Sequence, residues 1–414
     1  MALPAEALPK HSPHPFFGVT DDCLTLCGRK ITDIAAEVGR TPFYVYAREY
    51  MTARAERLRR ELPRGVHLHY AMKANPMPQV VQHMAGLVDG LDVASAREMH
   101  VALATGTPPE RISFAGPGKT PAELASAVQA GIVLNVESEL EVARLAEIAR
   151  ASSRRPQVAV RVNPDFELKT SGMKMGGGPK QFGVDAERVP ALLAEIGRLP
   201  LDFVGFHIFS GSQNLRPEAI VEAQQKSVAL AARLAASAPA PVRILNIGGG
   251  FGIPYFPGEQ PLELTTIAAN LEQLLAQTQR EMPQAQLVIE LGRYFVGEAG
   301  VYVCRVIDRK ISRGQVFLIT DGGLHHHLAA SGNFGQVLRK NYPVLVANRV
   351  IGTAREASSV VGPLCTPLDL LADRCELAVA QVDDLIAVLQ SGAYGLTASP
   401  TAFLSHPAPA EILI

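Results

Sequence analysis

The sequence predicts a (β/α)8 barrel joined to a mostly antiparallel β domain, and three observations carry the prediction. First, between residues 66 and 290, short apolar runs alternate with stretches of helical periodicity. Second, those runs are rich in Val, Ile, Leu and Phe and scarcely alternate with polar residues, as suits parallel strands covered on both faces. Third, after residue 296 the texture changes to β-branched runs separated by Gly and Pro turns, with few long helical stretches. An open doubly wound sheet shares the first alternation. Eight strand–helix units in about 230 residues match a barrel in both number and length.

The first strand candidate, 66–72, runs into Lys73 and breaks at Asn75-Pro76. The others are 87–93, 111–115, 132–136, 157–162, 203–208, 243–247 and 286–290. Helical periodicity fills the gaps, for example over 122–129, 140–149, 189–198 and 217–236. The later β runs are 301–308, 315–320, 344–351 and 377–382. The barrel is expected over 46–296 and the β domain over 297–414. Ahead of the barrel, residues 1–45 are rich in Pro and Gly, and the β-type run Phe43-Tyr44-Val45-Tyr46 follows.

Bulk properties exclude several classes. The 414 residues are 47% hydrophobic and 19% charged, with a formal net charge of -1 and dispersed basic residues. No long-range field would gather nucleic acid or an anionic membrane surface. No apolar run reaches transmembrane length, and no basic stretch followed by an apolar run opens the chain, so a cytoplasmic protein is expected. Cys23, Cys27, Cys304, Cys365 and Cys375 are few, odd in number and scattered, which suits a reducing compartment. No metal site is expected, because Cys23 and Cys27 have no second pair at zinc spacing.

In a barrel the reactive groups sit at the C-terminal ends of the strands. Those ends carry Lys73, then Asp92 and Ser95, Asn135 and Glu137, Arg161 and Asn163, and His207 with Phe209 and Ser212. The run Gly248-Gly249-Gly250-Phe251-Gly252 follows the seventh strand, and Glu290 with Arg293 closes the eighth. Glycines directly after a late strand expose backbone N–H groups suited to a phosphate. A lysine amine, a phosphate cradle and a carboxylate together point to pyridoxal phosphate. Its amine linkage, anion and ring nitrogen call for those three groups.

Seven motifs then fall in order: Tyr70-Ala71-Met72-Lys73-Ala74-Asn75, Asp92-Val93-Ala94-Ser95, Gly211-Ser212-Gln213, Gly248-Gly249-Gly250, Glu290-Leu291-Gly292-Arg293, Val361-Gly362-Pro363-Leu364-Cys365 and Gly392-Ala393-Tyr394-Gly395. The set resembles the fold-type III pyridoxal-phosphate decarboxylases of diaminopimelate, ornithine and arginine, from about residue 15 to 405. The resemblance implies a barrel plus a β domain that the N-terminal segment joins. It also implies a homodimer with shared sites. By the same resemblance Lys73 would hold the cofactor as a Schiff base, and Glu290 would pair with the pyridine nitrogen. Ser212, Gly248, Gly249, Gly250, Arg293 and Tyr394 would receive the phosphate, His207 and Phe209 would lie at the ring, and Asp92 would sit near the ring or support Lys73. Cys365, reaching in from the neighbouring subunit, would protonate the substrate's α-carbon. A racemase on the same fold, or a non-catalytic regulator of a decarboxylase, are the alternative readings. Cys365 disfavours the first, and the retained cofactor residues disfavour the second.

Three departures from the family pattern bear on the substrate. Phe209 stands where the family stacks an imidazole on the ring, and a phenyl can stack but not hydrogen-bond. Thr366 follows Cys365 where the family has an acid that reads a distal ammonium, and a neutral hydroxyl leaves such a charge unpaired. Diaminopimelate, ornithine and lysine therefore become less suitable, unless Asp369 compensates. Last, His325-His326-His327 replaces a different polar loop. Adjacent histidines point in different directions, which disfavours a metal and leaves contact with a substrate anion, an interface or an ordinary loop. Substrate contacts are thus expected from Arg293, Thr366, Asp369 and His325. The departures resemble a divergent branch found in polysaccharide and secondary-metabolite clusters, including exosortase-associated members. Some of that branch act on an acyl group tethered to a carrier protein. The basic, glycine-rich stretch from Lys169 to Phe182 reads as a lid or as a solvated loop.

Overall fold

The computed structural model describes residues 10–14, 16–167, 173, 174, 176–336 and 339–414. The chain forms two compact units. One comprises Arg54–Ile253 and Leu262–Tyr294, and the other comprises Met1–Ala53, Pro254–Pro261 and Phe295–Ile414.

The first unit is a closed parallel barrel. Its strands are β1 (Val66–Ala71), β2 (Gly90–Val93), β3 (Ile112–Phe114), β4 (Val133–Val136), β5 (Gln157–Asn163), β6 (Asp202–His207), β7 (Ile244–Gly249) and β8 (Gln286–Leu291). Each pairs in parallel with the next. The ring closes where β8 meets β1, with Val288 opposite His67 and Glu290 opposite His69. Closure excludes the open doubly wound sheet. Each strand lies within three residues of its expected start.

Local chemistry sets the helix starts. Thr120 and Glu123 form a reciprocal capping box with Pro121 in the first turn, and the helix runs over Pro121–Ala130. Ser95 and Ser138 each accept a hydrogen bond from a backbone N–H of the following helix's first turn. Inside the barrel the apolar packing is small, built from Val133, Ala159 and Val204 against Ile244. A polar band crosses four adjacent strands instead. His69 Nδ1 lies 3.1 Å from Asp92 Oδ1, Ser113 Oγ donates to Asp92 at 2.6 Å, and Asn135 Nδ2 donates to Ser113 at 3.1 Å.

The second unit is a mostly antiparallel sheet. Its strands are β9 (Gly300–Ser312), β10 (Gln315–Thr320), β11 (Val344–Val346), β12 (Arg355–Val361), β13 (Leu370–Ala378) and β14 (Leu385–Val388), in the spatial order β11-β14-β9-β10-β12-β13. The β10–β12 pairing is parallel. Phe43–Tyr46 pairs antiparallel with β9, and the C-terminal strand Ala410–Leu413 lies parallel to Phe43–Tyr46. Their side chains meet in a core that includes Leu26, Ile34, Phe43, Val45, Val301, Val303 and Ala387. The strand expected over 344–351 ends at Val346, and the one expected over 377–382 is replaced by β13 and β14. The reason is visible in β13: exposed Arg374 and Glu376 alternate with apolar positions, so no continuous apolar run marks it. Among the described residues, no helix is long and apolar enough to cross a membrane.

Candidate active site

Lys73 sits where β1 gives way to a single 3-10 turn, Met72–Ala74. The turn is held on both sides. Tyr70 Oη donates to the Asn75 carbonyl at 2.8 Å, and the Asn75 side chain accepts from the Met77 N–H at 3.1 Å, across the proline that ends the strand. Lys73 keeps 42% of its side-chain surface exposed, with Nζ 3.5 Å from Glu290 Oε1. The other Glu290 oxygen is 3.1 Å from His207 Nε2, and both of those side chains are buried. Burial alone would raise the Glu290 pKa. The Lys73 charge and His207, with a smaller contribution from Arg161, outweigh it and hold the carboxyl well below the usual range. The Phe209 ring centroid lies 5.7 Å from Lys73 Nζ, so the amine faces both an anion and an aromatic surface.

The glycine run and the Ser212 segment form one cradle. Asn214 N–H donates to Gly250 O at 2.9 Å, and Gly252 N–H returns to Asn214 O at 2.8 Å. Gln213 fastens the same pair of loops through Ile253, donating to its carbonyl at 2.6 Å and accepting from its N–H at 3.2 Å. Two glycines are demanded by close approach. Gly248 has φ +67°, and a Cβ there would stand 2.4 Å from the Phe209 ring. Gly250 has φ +73°, and a Cβ there would stand 2.5 Å from Gly211 O. Arg293 follows β8 directly and opens the short helix Arg293–Val296. The barrel unit therefore brings together Lys73, His207, Phe209, Gly248 to Gly250 and Glu290, and Ser212 joins the cradle. Asp92 is bound to His69 and Ser113, and its Oδ2 is buried without a hydrogen-bond partner among the described residues.

The rim next to the cradle is braced by a network that strand-end reading named only in part. Buried Lys119 donates to the carbonyls of Gly116 and Asn135 at 2.7 and 2.8 Å and reaches Glu141 at 3.2 Å. Glu137 accepts from Arg161 at 2.8 Å and from the N–H groups of Gly116 and Gly183. A satisfied buried ion network of this kind fixes geometry more than it adds stability. Of the expected lid, Lys169 lies outside the described residues. The Gly177 N–H donates to Asn163 Oδ1 at 3.1 Å, and Gly178 O accepts from Asn163 Nδ2 at 2.9 Å.

The other expected residues belong to the second unit. Cys365 is exposed, whereas Cys23 and Cys304 are buried and Cys27 and Cys375 are half-buried. It stands on a turn closed by Thr366 N–H to Leu364 O at 2.8 Å and Asp369 N–H to Thr366 O at 3.2 Å. Asp369 does not stand ready to read a substrate, because it is 3% exposed. Its Oδ2 accepts from the Leu364 N–H at 2.8 Å and its Oδ1 from the Leu324 N–H at 2.6 Å, stapling the Cys365 turn to the histidine loop. Asp369→Asn is expected to cost about 1–3 kcal/mol of stability, because an amide cannot accept well from both N–H groups. Cys365 alkylation should change rate while the far-ultraviolet dichroism stays native.

His325 also departs from its expected contact with substrate. It is fully buried, and its ring packs 3.7 Å from that of His326 and 5.1 Å from that of His406. Burial, with His326 and His406 adding, pushes its pKa down to about 3. An enclosed, neutral imidazole carries no charge to attract an anion and presents no exposed surface to one. His326 bonds the Pro407 carbonyl at 2.9 Å and His327 bonds Ser391 at 2.8 Å, whereas both ring nitrogens of His325 are buried without a hydrogen-bond partner among the described residues. Tyr394 adopts φ 53°, a left-handed conformation unusual for a residue with a side chain, directly before Gly395.

A barrel whose rim sets a lysine amine against a buried, ionised carboxylate, an aromatic face and a glycine cradle fits pyridoxal phosphate. Such a site defines an enzyme that activates the α-carbon of an amine. Residues 48–297 match the family described as pyridoxal-dependent decarboxylase, pyridoxal binding domain. The chain is 38% identical over 379 residues to the L-glutamyl-[BtrI acyl-carrier protein] decarboxylase of Niallia circulans, covering 90% of this chain and 88% of that one. It is 33% identical over 404 residues to the diaminopimelate decarboxylase of Aquifex aeolicus, covering 97% and 93%. The solved diaminopimelate decarboxylase of Helicobacter pylori, complexed with L-lysine, superposes with a TM-score of 0.81 at 28% identity, covering 92% and 94%. The chain belongs to the pyridoxal-dependent decarboxylase family and is a pyridoxal-phosphate-dependent carboxy-lyase.

Proposed function

We propose that the enzyme decarboxylates an amino acid whose far end is held in a neutral amide or thioester, of which a glutamyl group on an acyl-carrier protein is the leading case. The single observation that carries this reading is Thr366, a half-buried neutral hydroxyl beside Cys365. The 38% identity to a carrier-acting relative supports it. An amide or thioester asks no charge of its partner, whereas a distal ammonium left beside Thr366 would stay unpaired.

Bound pyridoxal phosphate supplies an electron sink for the pair released when the Cα–carboxylate bond breaks. Lys73 Nζ is the amine that would hold it covalently. Glu290, ionised through Lys73 and His207, holds a proton on the ring nitrogen. Phe209 offers a flat face without a hydrogen bond. The Gly248–Gly250 and Ser212 backbone, with Arg293 and Tyr394, receives the phosphate, and Asp92 supports the Lys73 end. Cys365 Sγ, from the partner subunit of a homodimer, gives its proton to Cα. The five free cysteines suit a reducing cytoplasm.

Carbon dioxide release from a panel of substrates tests this. Glutamyl-carrier protein should exceed diaminopimelate and ornithine by at least about tenfold in kcat/KM, and Thr366→Asp should narrow the gap by about as much. Diaminopimelate as the fastest substrate of the wild type would sink the reading.

A further inference from the structure

We propose that His69 is a positioning residue for charge. Paired with Asp92 on the strand next to Glu290, it keeps the barrel interior from carrying an uncompensated carboxylate beside the Lys73–Glu290 centre. The inference rests on the decarboxylase reading for its consequence, but its geometry stands alone. β1 presents His67 and His69 at period two before Lys73, and His69 lies opposite Glu290 in the β1–β8 register. Its Nδ1 is 3.1 Å from Asp92 Oδ1, and the two side chains are only 13% and 5% exposed. Room for the ring comes from Gly90, where a Cβ would stand 2.5 Å from His69 Nε2.

The ring also has its own route to protons. A cavity lined by His67, His69, Arg111, Ile244 and Gln286 opens beside it. Ile244 and Gln286 are the first residues of β7 and β8, so this is the N-terminal mouth of the barrel, opposite the end that carries Lys73. His69 can therefore gain or lose a proton without passing the catalytic rim.

The groups facing His69 set the direction. Burial opposes its charge; Asp92, Glu290 and Asp89 favour it. His67 and Arg111 line the same cavity and oppose it, Glu110 lines it with the opposite sign, and Asp89 is partly neutralised by Arg59 at 2.8 Å. The balance raises the His69 pKa above the ordinary 6.5. The sign follows. The imidazolium–Asp92 pair is complete below the ordinary value and is lost as pH rises through the raised one. Above it, Asp92 loses its partner cation on the strand that packs beside the Lys73 turn, and the uncompensated charge there makes the amine hold its proton more tightly.

The test begins with isotope-labelled histidine in the cofactor-free protein, with the His69 resonance assigned by its loss in His69→Gln. The resonance should titrate above 6.5, and Asp92→Asn should lower that midpoint by about one unit. A midpoint at or below 6.5 in the wild type would overturn the proposal. In the loaded enzyme, His69→Gln should shift the midpoint of the pH-dependent visible absorption upward by about one unit. It should also lower kcat at neutral pH about tenfold. Adding Asp92→Asn to His69→Gln removes the uncompensated charge and should return the midpoint toward the wild-type value. A purely structural histidine would leave the double variant no better than the single one, and that outcome also sinks the idea. Absence of the absorption band in the wild type would count against the cofactor reading alone.

Discussion

Lys73→Ala is expected to abolish the visible absorption of protein-bound pyridoxal phosphate and to lower decarboxylation by about a thousandfold or more. Glu290 is buried, with one oxygen 3.5 Å from Lys73 Nζ and the other 3.1 Å from His207 Nε2. Removing the amine takes away the cation that does most to hold Glu290 ionised and, in the role proposed for Lys73, the link to the cofactor. Lys73→Arg separates the two losses. A guanidinium keeps the charge near Glu290 but cannot form the covalent link. Both variants should therefore lose the absorption band, while only Lys73→Ala should lose the stability that ionised Glu290 contributes near neutral pH. The sign is fixed by Glu290: its folded pKa lies below the unfolded value, so its contribution is present above about pH 4.3 and fades as pH falls. Without Lys73 that contribution shrinks, so the deficit of Lys73→Ala against the wild type is largest near pH 7 and narrows toward pH 4. Urea unfolding of the three proteins at pH 4 to 7 measures this, and a persistent absorption band in Lys73→Ala would refute the assignment.

Much of this centre is legible in sequence because barrel topology makes it so. A parallel barrel puts every strand's C-terminal end on one rim, and reading strand ends in order is enough to gather Lys73, His207, Phe209, Gly248 and Glu290. What strand ends do not reveal is which polar residues face one another across the interior. His69 lies two residues inside β1, and its partner Asp92 is 23 positions away. The available signal was period two: His67 and His69 interrupt an otherwise apolar strand on the face that leads to Lys73.

The second unit was harder to read for a different reason. Asp369 looks like any acid near a reactive cysteine, but its oxygens are committed to the N–H groups of Leu324 and Leu364, one of them 45 positions away. A histidine triplet likewise resembles a ligand set until burial is known. With all three rings enclosed and held neutral, His326 and His327 do the work of bulky hydrogen-bonding core residues, and His325 packs against its neighbours with neither ring nitrogen hydrogen-bonded among the described residues. Long-range burial is the quantity that composition and spacing leave undetermined, and both substrate assignments turned on it.

That same burial pattern isolates Cys365 as the thiol suited to chemistry. Burial pushes the Cys304 thiol well above its ordinary range and the Cys375 thiol to about 11, so neither gives up its proton readily. Cys365 is exposed on a turn held by Asp369, which gives the thiol proposed as proton donor a fixed mount. If its partner is the barrel of a second copy, Cys365→Ala and Lys73→Ala remove different halves of each site. Each variant alone should be nearly inactive. Mixed in equal amounts and allowed to exchange subunits, half the dimers are heterodimers, and one of the two sites in each carries both native residues. Roughly a quarter of the wild-type rate should return, because two-fold symmetry makes every site draw one half from each chain. The recovered rate should fall again when one variant is in excess. Recovery absent after verified exchange would place Cys365 at the site of its own chain, or away from the chemistry altogether.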